Sequence, residues 1–294
     1  MNPYELYFLS RGTRCGARLF LPHDVAKPPV VVMAHGFAAW QEFRLPAFAE
    51  KFVRKGLGVM TFDYRNFGLS DGEPRNLVSP GRHVEDWRAA IACARGLEQV
   101  DGSRIGLWGT SFSGGHVLTV AAEDPGIAAV VSQIPFVDGL SVALNFGLLF
   151  NLTCLWHGVV DGIASMFGRT HFVPVVSDPD RFGLMNTPES KPGYLALVPE
   201  NSGWENRVPA RIALSLAAYR PVRYADRITC PVLMICAEKD TLIPQQAVRK
   251  CASRIRSVRL EVLPAGHFEP YVGELFERTA TMEAEFLAGV LLPG

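Results

Sequence analysis

Three polar side chains in this 294-residue sequence stand where chemistry could be done. Arg104-Ile105-Gly106-Leu107-Trp108 reads as a strand and runs directly into Gly109-Thr110-Ser111-Phe112-Ser113-Gly114-Gly115, a small-x-Ser-x-small segment. A serine hydroxyl is a weak nucleophile unless a neighbouring base takes its proton during attack, and a carboxylate is needed to fix the base's tautomer and stabilise its cation. Pro264-Ala265-Gly266-His267-Phe268 follows the apolar run Val258 to Leu263, and Ala237-Glu238-Lys239-Asp240-Thr241-Leu242-Ile243-Pro244 follows Val232 to Cys236. Hydroxyl, imidazole and carboxylate are thus all present beside strand-like runs, and the chemistry they could share is nucleophilic acyl transfer. Ser113 also fits the small-residue spacing with Gly115, but lies two residues further from the strand end. Glu238 is the neighbouring alternative to Asp240.

The elements that must position these residues alternate along the chain. Tyr4 to Leu9 and Thr13 to Phe20 read as paired strands joined by a Ser-Arg-Gly turn, forming an antiparallel edge. From Val30 the pattern becomes strand then helix: Val30 to Met33, then Leu45, Phe48, Ala49 and Phe52 at helical spacing, then Val59 to Phe62 and a helix bearing Val84, Trp87, Ile91 and Ala94. After Arg104 to Trp108 come a helix over Gly114 to Ala122 and a strand over Ile127 to Ser132. Val232 to Cys236, a helix from Gln245 to Arg254, Val258 to Leu263 and a last helix from Gly273 to Val290 complete the series. Apolar strands alternating with amphipathic helices predict an α/β fold with a mostly parallel sheet covered on both faces. Between Pro135 and Pro221 the alternation stops in a Leu-, Phe-, Trp- and Met-rich segment broken by prolines. The expected organisation is a core of residues 1–134 and 222–294 with an inserted helical cap over 135–221.

With those elements in place, the sequence resembles the α/β-hydrolase superfamily, in the esterase, thioesterase and dienelactone-hydrolase-like branch. The family's nucleophile stands on a strained turn between strand and helix, with small residues on either side. The resemblance covers nearly the whole chain outside the cap, and implies Ser111 as nucleophile, His267 as general base and Asp240 as the acid that orients it. The usual G-x-S-x-G has Ser113 in its last place here. The family stabilises the oxyanion with two backbone N–H groups, which the resemblance assigns to Phe112 and, through the Ala34-His35-Gly36-Phe37 segment, to Phe37. His35 is expected to hold that loop by hydrogen bonding. Asp63-Tyr64-Arg65-Asn66-Phe67-Gly68-Leu69-Ser70 resembles a segment common in members, with Asn66 where glycine is usual, and reads as structural; Arg65 recognising a substrate carboxylate is the alternative. His23, His83, His116, His157 and His171 lack the context of His267.

Composition excludes other classes. Lys+Arg and Asp+Glu are each 29, and no arm gathers basic residues into a phosphate-binding stripe, so nucleic acid is not an expected partner. The six cysteines form no CxxC and no paired framework, which reads as free thiols. The first residues do not resemble a secretory signal, so a cytoplasmic location is expected. The apolar stretch Gly139 to Val160 is interrupted by Ser141, Asn145, Asn151, Thr153 and His157, which is costly for a membrane span. No metal-ligand spacing and no phosphate-binding loop occurs, so no cofactor is implied.

The resemblance implies hydrolysis of a carboxylic ester or related acyl bond through an acyl-enzyme, on a small, apolar acyl substrate. Phe146, Leu148, Leu149, Phe150, Leu155, Trp156, Met166 and Phe167 of the cap either wall the acyl pocket or pack the cap onto the sheet. Thioesterase or acyl transferase is the enzymatic rival, and a hydrolase-fold receptor that turns nothing over is the rival from another class. A homodimer through the cap or the edge strand stays open.

Overall fold

The computed structural model of the chain describes residues 2–292. Its eight-stranded sheet comprises β1 (Tyr4–Ser10), β2 (Thr13–Phe20), β3 (Pro29–Ala34), β4 (Gly58–Phe62), β5 (Asp101–Thr110) and β6 (Ile127–Gln133), with β9 (Val232–Ala237) and β10 (Val258–Leu263) following a long excursion. The spatial order is β1-β2-β4-β3-β5-β6-β9-β10. β1 and β2 form the antiparallel edge, and β3, β4, β5, β6, β9 and β10 run parallel. Every residue of β3, β4 and β9 is buried, as a sheet covered on both faces requires. α1 (Leu45–Arg54) packs with α9 (Gly273–Leu291), and α2 (Pro80–Gly96) with α3 (Phe112–Ala121), the two pairs covering the two faces, while α8 (Gln245–Ala252) lies on β9 and β10.

Strand β5 extends further than Arg104–Trp108, and α3 begins at Phe112 rather than Gly114. The glycines that lower helix propensity lie inside the first turn, where tertiary packing overrides them. Ser111 therefore caps the helix directly, with no loop between strand and helix.

Between β6 and β9 the chain leaves the sheet and forms α4 (Gly139–Asn145), α5 (Leu148–Met166), α6 (Ser190–Leu195) and α7 (Ala213–Leu216), with the small strands β7 (Phe172–Val173) and β8 (Val208–Pro209) pairing antiparallel. The two ends of this segment meet: Gly139 N donates to Tyr219 O at 2.9 Å and Val222 N to Val137 O at 2.9 Å. α5 has the length and apolarity of a membrane-crossing helix. Its one charged residue, Asp161, is buried and paired with Arg211 at 2.6 Å inside the same segment.

Candidate active site

β5 delivers Ser111 to the C-terminal end of the sheet, where α/β folds keep their ligand crevices. Ser111 has φ 53° and ψ −116°, a conformation serine adopts only when its surroundings over-determine it. They do so here: Ser111 N donates to Gln133 O at 2.8 Å, and Ser111 O accepts from Phe136 N at 2.8 Å. The need for small residues is steric. A Cβ on Gly109 would lie 2.4 Å from Ser113 O, and one on Gly115 would lie 2.1 Å from Phe136 O. Ser113, standing where the motif usually has glycine, is fully buried and bonded to Tyr64 OH at 2.8 Å, which in turn accepts from Trp87 Nε1 at 2.9 Å. It has no access to a substrate, so Ser111 is the hydroxyl at the site.

His267 follows β10 and Asp240 follows β9, and the two loops bring them to Ser111. His267 Nε2 is 3.1 Å from Ser111 Oγ, and His267 Nδ1 is 2.7 Å from Asp240 Oδ2. The other carboxylate oxygen, Oδ1, accepts from Leu242 N at 2.8 Å and Ile243 N at 2.9 Å, which fixes the carboxylate and leaves Oδ2 for the imidazole. With a carboxylate at Nδ1, the proton sits there and Nε2 keeps its lone pair for the serine. Burial alone would lower the His267 pKa; the Asp240 charge and hydrogen bond, with the Glu189 charge behind them, hold it above the ordinary histidine value. Glu238 is exposed, and the carboxylate bonded to His267 is that of Asp240.

The loop after β3 approaches the nucleophile closely, since a Cβ on Gly36 would lie 3.1 Å from Ser111 Cβ. Neither Phe37 N nor Phe112 N donates a hydrogen bond among the described residues; Phe112 is the first residue of α3, whose leading N–H groups have no intrahelical partner. Both rings meet edge to face, 5.5 Å between centroids. His35 Nδ1 lies 3.0 Å from Gly36 O, so His35 does brace this loop. Burial lowers its pKa against the opposing Asp63, which keeps it neutral. Arg65 has no part in ligand recognition: it is buried, pairs with Asp86 at 2.5 Å and Glu85 at 2.7 Å, and donates to Arg82 O. Asp63 accepts from Gln41 N and Leu69 N, as structural residues do, and Asn66 takes the φ of 78° that glycine usually supplies.

The inserted segment closes over this site, but with few of the residues whose composition singled them out. Leu148, Leu149, Trp156, Met166 and Phe167 are 66–81% exposed and neither wall the pocket nor pack on the sheet. α5 is apolar on nearly every side, so it cannot bury all of them. The side it does bury is narrow, at Gly158 and Asp161, against α7 and the turn before it. Only Phe146 of that set lines the cavity at Ser111, together with Val142, Leu184, Met185 and Leu216. A second cavity on the other side of the Ser111–His267 pair is lined by Phe43, Tyr194, Leu197, Phe268 and Tyr271.

Several supports had no signal in the sequence. Glu189, in the aperiodic Thr187-Pro188-Glu189 stretch, accepts from His267 N at 2.9 Å through Oε2 and from Thr241 N at 2.9 Å and Thr241 Oγ1 at 2.6 Å through Oε1. One carboxylate of the insert thereby ties the acid loop to the histidine loop. Tyr194 OH donates to Phe37 O at 2.8 Å and Trp204 Nε1 to Ala38 O at 2.9 Å, so the insert also holds the β3 loop. Behind the nucleophile, His83 and His116 are buried around Phe112, and burial pushes their pKa values down, that of His116 to about 3. His116 Nδ1 lies 2.6 Å from Tyr219 OH. They are neutral packing groups that do not reach Ser111. Among the described residues no group of three or more His, Cys, Asp or Glu side chains is arranged to hold a metal.

The chain matches the serine aminopeptidase S33 family over residues 26–268. It is 40% identical over 290 residues to the quorum-quenching protein AidA of Acinetobacter baumannii, covering 98% of this chain and 95% of that protein. It is 38% identical over 135 residues to the thiohydrolase aneE of Aspergillus aculeatus, covering 46% of this chain and 42% of that protein. The crystal structure of the α/β hydrolase GrgF from a Penicillium species superposes with a TM-score of 0.83 at 22% identity, over 99% of each chain. Taken with the sheet order and the strand-to-helix turn at Ser111, these matches establish that the chain belongs to the serine aminopeptidase S33 family of the α/β-hydrolase superfamily.

Proposed function

We propose that this protein is a serine hydrolase that cleaves a carboxylic ester, or a related acyl bond such as a lactone or thioester, through an acyl-enzyme on Ser111. The observation that carries the reading is the continuous chain Asp240 Oδ2–His267–Ser111 Oγ at the foot of an apolar cavity, with two unengaged backbone N–H groups beside it. His267 Nε2 takes the Ser111 proton as Oγ attacks the acyl carbon. The negative charge that develops on the carbonyl oxygen is met by Phe37 N and Phe112 N, which need no reorganisation. The imidazolium then protonates the leaving oxygen or sulfur, which departs and leaves the acyl-serine. A water deprotonated by His267 repeats the sequence, releasing the acid and restoring Ser111.

An acyl substrate fits better than a peptide with a free amino terminus, which would call for a carboxylate in the pocket. The residues lining the two cavities beside Ser111 include no Asp or Glu. The two cavities flank the Ser111–His267 pair, an arrangement that also suits transfer of the acyl group to an acceptor held on the second side. The similarity to a protein named thiohydrolase favours including thioesters.

Fluorophosphonate labelling read by mass spectrometry, with hydrolysis of short acyl esters and thioesters followed in parallel, tests the reading. One adduct on Ser111, with labelling and turnover both lost in Ser111→Ala, is the expected result. Absence of an adduct on folded protein would instead favour a receptor, and product formation only when an alcohol, amine or thiol acceptor is supplied would favour transfer.

A further inference from the structure

The cavity at Ser111 adjoins a larger one within the inserted segment. Its volume is about 60 Å³, enough for a few atoms beyond a carbonyl. Val142, Phe146, Leu184 and Leu216 line one side of it, and the same four residues line a cavity of about 330 Å³ between α4, α5 and α7 that is partly open to solvent past Leu155 and Leu214. That larger chamber is lined by Ala143, Phe150, Leu155, Ile212, Ala213 and Leu214, among others. None of its lining residues is charged. Its one amide, Asn151, spends its donors on the carbonyls of Ala143 and Phe146 at 2.8 and 3.1 Å. Nothing in the chamber therefore asks for a polar ligand group, and an uncharged, flexible chain fits it best.

We infer that the chamber between α4, α5 and α7 is a binding site for the distal part of a long, unbranched aliphatic acyl chain, whose proximal carbons pass the waist at Val142, Phe146, Leu184 and Leu216 to reach Ser111. The assignment rests on the acyl-hydrolase reading for the identity of the chain's reactive end, and adds the length and character of its tail. Short acyl groups occupy the first cavity alone. Chains long enough to cross the waist gain apolar burial for every further methylene, about fourfold in kcat/KM per methylene at most. Phe146 lines both cavities, its ring stacked on Phe150 with centroids 4.7 Å apart.

The test measures kcat/KM for a series of straight-chain acyl esters or thioesters on the wild type, on Ala143→Trp and on Ala213→Phe, which fill the chamber from two different walls. Two variants guard against one that fails to fold. The wild type should show a second rise in kcat/KM beyond the short chains, and each plug should cut the ratio of long-chain to short-chain kcat/KM by tenfold or more. An unchanged ratio in both folded variants, or a wild-type rate that falls steadily with length, overturns the chamber while leaving the hydrolase reading intact. Calorimetry of dodecanoate with the Ser111→Ala protein separates the two ideas from the other side. Saturable binding abolished by Ala143→Trp supports the chamber even if the wild type hydrolyses nothing, and absence of binding counts against it.

Discussion

Glu189→Gln would test whether a residue of the inserted segment sets both the position and the basicity of His267. The carboxylate serves two loops at once, Oε2 taking His267 N and Oε1 taking Thr241 N and Oγ1. An amide has one acceptor oxygen, so whichever loop keeps its bond, the other N–H meets an NH2 group. A hydrogen bond to a charged acceptor is worth about 1.5–3 kcal/mol, and the partial exposure of Glu189 places this one at the low end. If that free energy is used to hold the imidazole in line with Ser111 in the transition state, its loss lowers kcat/KM about tenfold. The charge acts separately. Glu189 helps raise the His267 pKa, so removing it lets His267 stay neutral at lower pH. The acid limb of kcat/KM, which reports the free enzyme's base, should move to lower pH. Glu189→Ala should shift the limb the same way with a larger fall in rate, roughly 10²-fold, because both loops lose their acceptor. The assay is kcat/KM against pH on the best ester found with the wild type. A limb that stays in place or moves up, in protein with wild-type stability, would refute the coupling.

Asp240→Asn should leave the loops folded, since the amide oxygen can still accept from Leu242 N and Ile243 N, but should lower kcat by about 10⁴-fold through the wrong imidazole tautomer; a loss under tenfold in steady-state turnover would rule out the assigned role. Gly115→Ala places a Cβ 2.1 Å from Phe136 O, and the overpacking should cost about 1–3 kcal/mol, lowering Tm by about 2–4 °C for each kcal/mol; an unchanged thermal midpoint would show that the turn has room it lacks here. Glu283 is fully buried, and burial pushes its pKa up to about 8, against an ordinary glutamate value of 4.5. The folded state therefore holds a proton that the unfolded state has released, and wild-type stability should fall as pH rises from about 4.5 towards 8, at up to about 1.4 kcal/mol per pH unit. Glu283→Gln keeps an acceptor for Trp108 Nε1 and should flatten that slope in denaturant titrations; parallel slopes for the two proteins would contradict the burial argument.

The sheet and the three chemical residues were legible because each rests on a local signal. β3, β4 and β9 are buried on both faces, so they read as largely apolar runs, and Ser111, Asp240 and His267 each lie just beyond a strand end. What the sequence could not convey is direction within the insert. α5 is apolar on nearly every side, so composition marks its residues as buried while the packing of Gly158 and Asp161 decides which side faces inward. Glu189, Tyr194 and Trp204 act on loops 52, 157 and 166 residues away in the chain, through isolated side chains whose bonds leave no periodic trace. Ser113 was legible as a small residue, but its bond to Tyr64 depends on a contact across 49 residues.

Ser111 sits at φ 53°, a region in which a residue without a side chain would rest at ease. Holding serine there costs about 1–3 kcal/mol, and glycine at the same position would recover much of it. An inactive Ser111→Gly protein is thus expected to outlast the wild type against heat. A population of variants screened for thermal survival alone would drift away from serine at this one position, and only a screen that demands turnover would keep it.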